Sequence, residues 1–373
     1  MDIHQYATSF SEEPGYLDFA RVGPIGSTVN EEQRALGDIL GRARFGTMES
    51  LDELDSRACE AVSTLTGFPS EQISFQPNTS QGLMHALFGI TGGVAMSAAE
   101  YPSSTFAAVR AAESLGVLTP TWIETDEGRV TPGNLKRQLT KKITAVVVSL
   151  VDFRTGYLAD IEGIRQVIGD RLLILDAIQG FGIVDVPYGV ADVVVSGGQK
   201  WARAGWGTGF LALSERALER LTPVISGFTG SEFDGLPLDA VYPPAHTARA
   251  FTVSNPDPIA EGRLAVALEE IAEVGVANIR TSILEKTSRI IDSADEFGIP
   301  VTSSRDEAER AGIVVLEPDA DQLTVLTAAL YNHGVTVTTR GGTIRLSAHV
   351  STSEETFEML RASFTSFASA VNV

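Results

Sequence analysis

The chain has very little cysteine, far fewer basic than acidic side chains, and no long apolar run. Its 373 residues include one cysteine, Cys59, which excludes an internal disulfide framework and a cysteine-rich metal site. The 28 Lys and Arg against 48 Asp and Glu give a net charge of −20. That charge argues against nucleic acid or an anionic membrane as a partner, because both bind clustered basic residues.

The longest apolar runs, such as residues 144–151, are much shorter than the roughly 20 residues that a membrane-spanning helix needs. The first residues also lack the basic and then apolar pattern of a secretory signal. We therefore expect a soluble, cytoplasmic protein. A hydrophobic content of 43% with 35 glycines is typical of a globular enzyme, and the length fits two domains.

Short apolar runs without polar alternation predict strands that are covered on both faces, as in a parallel sheet: residues 145–148, 172–175 and 193–195. The helix-compatible segment 161–168 separates the first two runs, which gives the order of a β-α-β unit. Ligands of such sheets bind beyond the carboxyl ends of the strands, so we expect the chemistry at those ends.

The last hundred residues predict a mixed α+β unit, which follows a helix over residues 258–274. The predicted elements of this unit are a strand at 313–316, a helix at 321–331, strands at 335–339 and 343–347, and a helix from Ser353. We predict an α/β fold with a large domain over residues 21–269, whose mostly parallel central sheet is flanked by helices. Residues 270–373, together with 1–20, would form a smaller α+β domain.

Motifs of several other enzyme classes are absent. The sequence has no phosphate-binding P-loop, no Gly-x-Ser-x-Gly elbow and no His-Glu-x-x-His zinc motif. Residues 207–212 match a loose dinucleotide-binding pattern, but they lead into a strand-like run instead of following one. The five histidines are scattered without the spacing of metal ligands.

Two charged residues stand where strand ends are predicted. Asp176 ends one buried run, and Lys200 follows the end of the next, so both side chains are expected in one crevice. A lysine in such a place is costly unless its amine is neutralised or used. One chemistry uses this pair: the lysine forms an imine with an aldehyde, and the carboxylate faces a protonated pyridine nitrogen.

Residues 175–179 (LDAIQ) and 196–201 (SGGQKW) resemble the fold-type I, pyridoxal-phosphate-dependent enzymes of the class V aminotransferase family. This family includes cysteine desulfurases, small-amino-acid transaminases and kynureninases. The similarity extends from residues 16–20 to residues 344–347 and so covers most of the chain. The resemblance implies pyridoxal 5′-phosphate as the cofactor and a fold-type I transferase architecture.

The resemblance also implies roles around the cofactor ring. Lys200 would hold the cofactor as an imine and then act as general base and acid. Asp176 would keep the pyridine nitrogen protonated, and Gln179 would hydrogen-bond to the phenolic oxygen. Tyr101 would stack on the ring.

The same resemblance implies which residues would bind the cofactor phosphate. Thr79 and Ser80 begin a predicted helix, where free amides and hydroxyls suit an anion, and Gln199 adds a donor. Residues 251–256 resemble the loop that reaches into a neighbouring subunit, which implies a homodimer with shared active sites. Asn255 of this loop would contact the cofactor phosphate.

Arg345 matches the arginine that binds the substrate's α-carboxylate, since its planar fork pairs with both oxygens. Arg340 is a candidate for a second contact with the substrate, with a surface ion pair as its alternative.

The resemblance leaves the reaction open. We favour an aminotransferase acting on a small amino acid, with a keto acid as a possible partner. A cysteine desulfurase is disfavoured because Cys59 is the only thiol and lies far from Arg345. A kynureninase-like hydrolase is the main alternative, although Ser104 and Ser231 stand where that pattern expects aspartate and histidine. A lyase, an epimerase and a cofactor-free binding protein on the same fold are further alternatives.

Overall fold

The computed structural model describes residues 1–126 and 128–371. The helices are α1 Ile3–Thr8, α2 Ser27–Arg42, α3 Glu53–Thr66, α4 Thr79–Phe88, α5 Pro102–Leu115, α6 Pro132–Gln138, α7 Ile161–Ile168, α8 Glu215–Arg220, α9 Pro258–Val274, α10 Val276–Glu296, α11 Leu323–Asn332 and α12 Glu354–Val371. The strands are β1 Ile73–Phe75, β2 Gly92–Ser97, β3 Leu118–Ile123, β4 Ile143–Ser149, β5 Leu172–Asp176, β6 Val193–Gly197, β7 Gly209–Leu213, β8 Ile313–Leu316, β9 Thr338–Arg340 and β10 Thr343–Ser347.

The large sheet has the strand order β1-β7-β6-β5-β4-β2-β3. Strand β7 is antiparallel to both of its neighbours, and the other pairs are parallel, so the predicted mostly parallel sheet is confirmed. Helices cover both faces. In β4, Val146 and Val148 join one hydrophobic cluster, whereas Ala145 and Val147 join the cluster on the other face. Burial on both sides explains why these strands are apolar without alternation.

The carboxyl ends of β4, β5 and β6 lie side by side. Ser149 pairs in register with Asp176, and Asp176 pairs with Val195. After β6 the chain turns and returns as β7, and Lys200 lies in this turn. Strand β1, at one edge of the sheet, leads directly into α4. The topology therefore collects the predicted strand ends and the start of a helix at one edge of the sheet.

A small antiparallel sheet of order β8-β10-β9 is built from the C-terminal part of the chain. It packs with α10, α11 and α12 around a separate hydrophobic cluster. Strands β9 and β10 form a hairpin whose two-residue turn, Gly341-Gly342, has φ of +56° and +89°. Two successive positive φ values favour glycine, and such a turn matches the twist of the paired strands. The hairpin fixes Arg340 and Arg345 on adjacent strands.

The predicted strand at 335–339 is displaced, because β9 begins only at Thr338. The residues before it pair with the N-terminal segment instead: the Thr336 amide donates to the Gly15 carbonyl at 2.8 Å, and the Leu17 amide donates to the Thr336 carbonyl at 3.0 Å. These partners are distant in the sequence, so local pattern does not reveal the displacement.

Helix α9 has the predicted bounds and ends at Gly275, where φ is +86°. The predicted domain boundary after residue 269 falls within the C-terminal part of this helix, and the assignment of two domains stays a prediction. Among the described residues, no helix combines the length and the apolar character required to cross a membrane.

Candidate active site

A cavity of about 880 Å³ lies at the carboxyl ends of β5 and β6, facing the β9–β10 hairpin. Most of the residues predicted for the site line it: Thr79, Ser80, Tyr101, Asp176, Gln179, Gln199, Lys200, Arg340 and Arg345. Asn255 does not. It lies in an exposed loop that lines a neighbouring cleft with Trp206 and Arg263.

Lys200 is the buried amine of the cavity. Its side chain is 9% exposed, and its Nζ lies 5.5 Å from the centroid of the Tyr101 ring. Burial lowers the pKa of Lys200 to about 8; the charge of Asp176 opposes this shift, and the charge of Arg345 adds to it. An appreciable fraction of the amine is therefore neutral near pH 7, which is the form that attacks a carbonyl group.

We predict that the pH dependence of labelling exposes this shift. When the apo-protein is treated with trinitrobenzenesulfonate, modification of Lys200 should rise about tenfold per pH unit and level off above about pH 8, because only the neutral amine reacts. Peptide mass spectrometry after short reactions measures the rate, with exposed Lys141 as an internal reference. A rate that still rises steeply at pH 9.5 would contradict the assignment.

Asp176 is 2% exposed and ends β5 inside the cavity wall. Its Oδ1 accepts a hydrogen bond from the Ile178 amide at 3.1 Å, whereas its Oδ2 is buried without a partner. Burial raises the pKa of Asp176 to about 6, and the Ile178 amide and the Lys200 charge act in the opposite direction. A buried acceptor without a donor is costly, so a ligand that presents an N–H at Oδ2 would be stabilised there.

Gln179 is fixed by two hydrogen bonds. Its Oε1 accepts from Trp201 Nε1 at 2.9 Å, and its Nε2 donates to the Ala20 carbonyl at 2.9 Å. One N–H of the amide is left for a further acceptor. The contact between Trp201 and Gln179 was not predicted from the sequence. The position of Trp201 next to Lys200 is the one sequence feature that could have indicated it. Through this contact the residue after Lys200 orients the amide predicted to face the cofactor.

The first turn of α4 lines the side of the cavity that is predicted to bind an anion. Thr79 Oγ1 is buried without a partner, and Ser80 Oγ lies 2.6 Å from Ser103 Oγ. A Cβ at Gly197 would lie 2.4 Å from Gln199 Oε1 and 3.0 Å from Thr79 Oγ1. The side chains of Gln199 and Thr79 thus approach Gly197 closely, and any larger residue at position 197 would displace them. Free amides and hydroxyls at a helix start bind anions such as phosphate.

Arg345 is held on the opposite side by weak contacts. Its Nη1 donates to the Phe153 carbonyl at 3.2 Å, its Nη2 lies 3.6 Å from Asp18 Oδ1, and its Nε is buried without a partner. Asp18 also accepts from Thr338 Oγ1 at 2.7 Å, and burial raises the pKa of Asp18. Asp18 was not predicted as a site residue, although it lies in the segment 16–20 that marks the start of the resemblance. The unused donor of Arg345 leaves it able to bind a carboxylate.

The family model "Aminotransferase class-V" matches residues 49–373. The chain belongs to the class V aminotransferase family. This family depends on pyridoxal 5′-phosphate, so the predicted family and cofactor are confirmed. That dependence is at odds with the alternative of a cofactor-free binding protein on the same fold.

The individual relatives differ in their activities. A kynureninase of Deinococcus radiodurans is 26% identical over 286 residues, which cover 72% of this chain and 68% of the kynureninase. The apo structure of a cysteine desulfurase from Thermococcus onnurineus NA1 matches with a TM-score of 0.81 at 21% identity, over 93% of both chains. A C-DES mutant with glycine covalently linked to its PLP cofactor matches with a TM-score of 0.86 at 17% identity, over 97% of this chain and 99% of that one. These structures establish the fold-type I architecture.

The residues of the cavity fit pyridoxal phosphate. The buried Oδ2 of Asp176 and the buried Oγ1 of Thr79 have no partner within the protein, and Lys200 Nζ forms no hydrogen bond or ion pair within the described residues. An acceptor, a donor for an anion and a free amine are the groups that a pyridinium nitrogen, a phosphate and an aldehyde require. The unpartnered atoms of this cavity are therefore those that the cofactor would satisfy.

Proposed function

We propose that this chain is an aminotransferase that takes the amino group of an α-amino acid and passes it to a keto acid. The observation that carries the proposal is that Lys200, Asp176 and Arg345 line one cavity, which brings together an amine, a buried carboxylate and a guanidinium whose Nε has no partner. A small amino acid is the expectation from the sequence.

Besides Lys200 and Ser80, five side chains would hold the cofactor in this proposal. Asp176 Oδ2 would accept from the ring nitrogen, Gln179 would donate its free N–H to the phenolic oxygen, and Tyr101 would cover the ring. Thr79 and Gln199 would donate to the phosphate. When bound, pyridoxal phosphate supplies an aldehyde that captures amino groups and a ring that withdraws electrons from the adjacent carbon.

Lys200 would then move the proton on which transamination depends. Its Nζ is buried in the wall of the cavity, and a pKa of about 8 lets it both accept and return a proton near neutral pH. The half-buried Tyr101 ring lies beside it, with its centroid 5.5 Å from Nζ. In this role Lys200 would take the proton from the substrate's α-carbon, hold it as an ammonium group and deliver it to the carbon of the cofactor that had been the aldehyde.

Replacing Arg345 with alanine should weaken amino-acid binding while the cofactor stays bound. Loss of a charge-assisted pair with the α-carboxylate corresponds to about 1.5–3 kcal/mol, or roughly ten- to a hundredfold in dissociation constant. Spectral titration of the holoenzyme with amino acids measures this change. Arg345→Lys keeps the charge but not the planar guanidinium, so its dissociation constant should lie between those of the wild type and Arg345→Ala. Unchanged binding in Arg345→Ala would show that another group holds the α-carboxylate.

The test of the reaction is to mix the holoenzyme with a panel of single amino acids in the absence of a keto acid. An aminotransferase should convert its cofactor to pyridoxamine phosphate in one turnover and release the matching keto acid. If amino acids bind and none is converted in this way, the aminotransferase assignment is wrong.

A kynureninase-like hydrolase is the second candidate, because a kynureninase is among the relatives of the chain. Such a hydrolase would release anthranilate from kynurenine without converting the cofactor to pyridoxamine phosphate. The two departures from that pattern are buried away from the described cavity lining: Ser104 lies in α5, and Ser231 Oγ donates to the Phe233 carbonyl at 3.4 Å. Neither serine supplies a charge to the site.

We also propose a homodimer in which Asn255 serves the site of the neighbouring subunit. Support comes from its place in an exposed loop outside its own cavity, and from exposed apolar side chains such as Phe45, Leu238 and Val241. Where such side chains form a continuous patch, they mark a protein contact. A cytoplasmic location stays a prediction.

A further inference from the structure

A second cavity of about 740 Å³ adjoins the first. The two cavities share Thr338, Arg340 and Arg345 in their linings. We call the second cavity the annex. Because Arg345 faces both spaces, a molecule whose carboxylate pairs with Arg345 can extend its other end into the annex.

The partition between the cavities is aromatic. The Phe153 ring makes an edge contact with Tyr101, with the centroids 5.1 Å apart. On Phe153 the guanidinium groups of Arg154 and Arg340 lie 5.9 and 5.8 Å from the ring centroid. Pro102 and Val315 add apolar surface to the annex. This lining suits a side chain with an apolar or aromatic stem.

The lack of an ion-pair partner distinguishes Arg340 from the other arginines that line the annex. Arg129 pairs with Glu309 at 3.3 Å, and Arg154 pairs with Asp152 at 2.7 Å. Arg340 has no ion-pair partner within the described part of the chain. Its position is set by the tight Gly-Gly turn of the β9–β10 hairpin rather than by an ion pair.

We propose that the annex receives the side chain of the substrate, and that this substrate is an α-amino acid with an extended side chain ending in an anionic group. Arg345 would bind the α-carboxylate, the stem would lie along Phe153, and Arg340 would pair with the terminal anion. Glu317 is the carboxylate among the residues that line the annex. Because its side chain is exposed, water screens its repulsion of an anionic substrate group. This inference rests on the proposed function and replaces the small amino acid expected from the sequence with an extended, anionic one.

The test uses two matched pairs of probes that differ only in a terminal carboxylate. These are L-2-aminoadipate with L-norleucine, and 4-carboxy-L-phenylalanine with L-phenylalanine. Spectral dissociation constants are measured with holoenzyme of the wild type, of Arg340→Gln and of Arg361→Gln. Arg361 forms an exposed pair with Glu296 outside both cavities, so its variant removes the same charge elsewhere.

The wild type and Arg361→Gln should bind the carboxylated member of each pair about two- to fivefold more tightly, the value of an ion pair with an exposed arginine such as Arg340. In Arg340→Gln this preference should disappear, with binding of the neutral member unchanged. A wild type without the preference overturns the inference and leaves the proposed function standing. Equal weakening of both members in Arg340→Gln also overturns it, because Arg340 would then serve the α-carboxylate. Spectral silence toward every amino acid would overturn the proposed function together with it.

Discussion

Replacing Lys200 with alanine is expected to abolish covalent capture of the cofactor and to lower turnover about a hundred- to ten-thousandfold, the usual contribution of a positioned acid or base. The expectation follows from the burial of this amine and from its pKa of about 8, which leave it free to react and to carry a proton. Borohydride reduction should attach the cofactor to the Lys200 peptide of the wild type. In Lys200→Ala no peptide should carry it.

The control for this experiment is Lys141→Ala, which removes an exposed lysine that does not line the cavity. It should keep the absorbance of the bound cofactor, the labelled peptide and the turnover of the wild type. A labelled lysine in Lys200→Ala, with turnover retained, would show that another amine carries the chemistry. Loss of absorbance in both variants would point to damage to the fold.

The parts of the site that the sequence predicted well are those that depend on short stretches. Asp176 ends one apolar run and Lys200 follows another; both runs were predicted as buried strands, and the carboxyl ends of such strands meet at one sheet edge. Thr79 begins a helix directly after a strand, so its place at a helix start is also a local property. Residues with such positions can be assigned before any tertiary contact is known.

The parts that were missed depend on how distant segments meet. Asp18 reaches Arg345 because the N-terminal segment pairs beside the small sheet, where the Ser347 amide donates to the Leu17 carbonyl at 2.8 Å. The annex likewise forms between a loop after β4, which carries Phe153, and the β9–β10 hairpin. Periodicity and spacing describe neighbours along the chain. Contacts across some 190 to 330 residues join β10 to the loop after β4 and to the N-terminal segment.

Replacing Asp176 with asparagine should lower turnover of the holoenzyme by about thirtyfold to several thousandfold. Asparagine keeps an oxygen for the Ile178 amide, but it has no charge to hold the ring nitrogen protonated. Loss of one partner of a buried charge pair corresponds to about 2–5 kcal/mol, which gives that range of rates. Steady-state kinetics with a saturating cofactor concentration separate this loss from weaker cofactor binding. Asp185→Asn, an exposed change in the loop after β5, is the matched control and should keep full turnover.

The same variant should change the pH dependence of apo-protein stability in a defined direction. Burial raises the pKa of Asp176 from 3.8 to about 6, so the folded state holds its proton over a range in which the unfolded state has lost it. The free energy of unfolding of the wild type therefore falls as pH rises from about 4 to about 6, by up to a few kcal/mol, and this contribution is constant above that range. Asp176→Asn lacks the titration, so its stability relative to the wild type should rise across this window. Urea unfolding of both apo-proteins between pH 4 and 8 measures the difference; parallel curves would mean that Asp176 is ionised in the folded state as readily as in water, and that its unpartnered oxygen carries no cost for a cofactor to relieve.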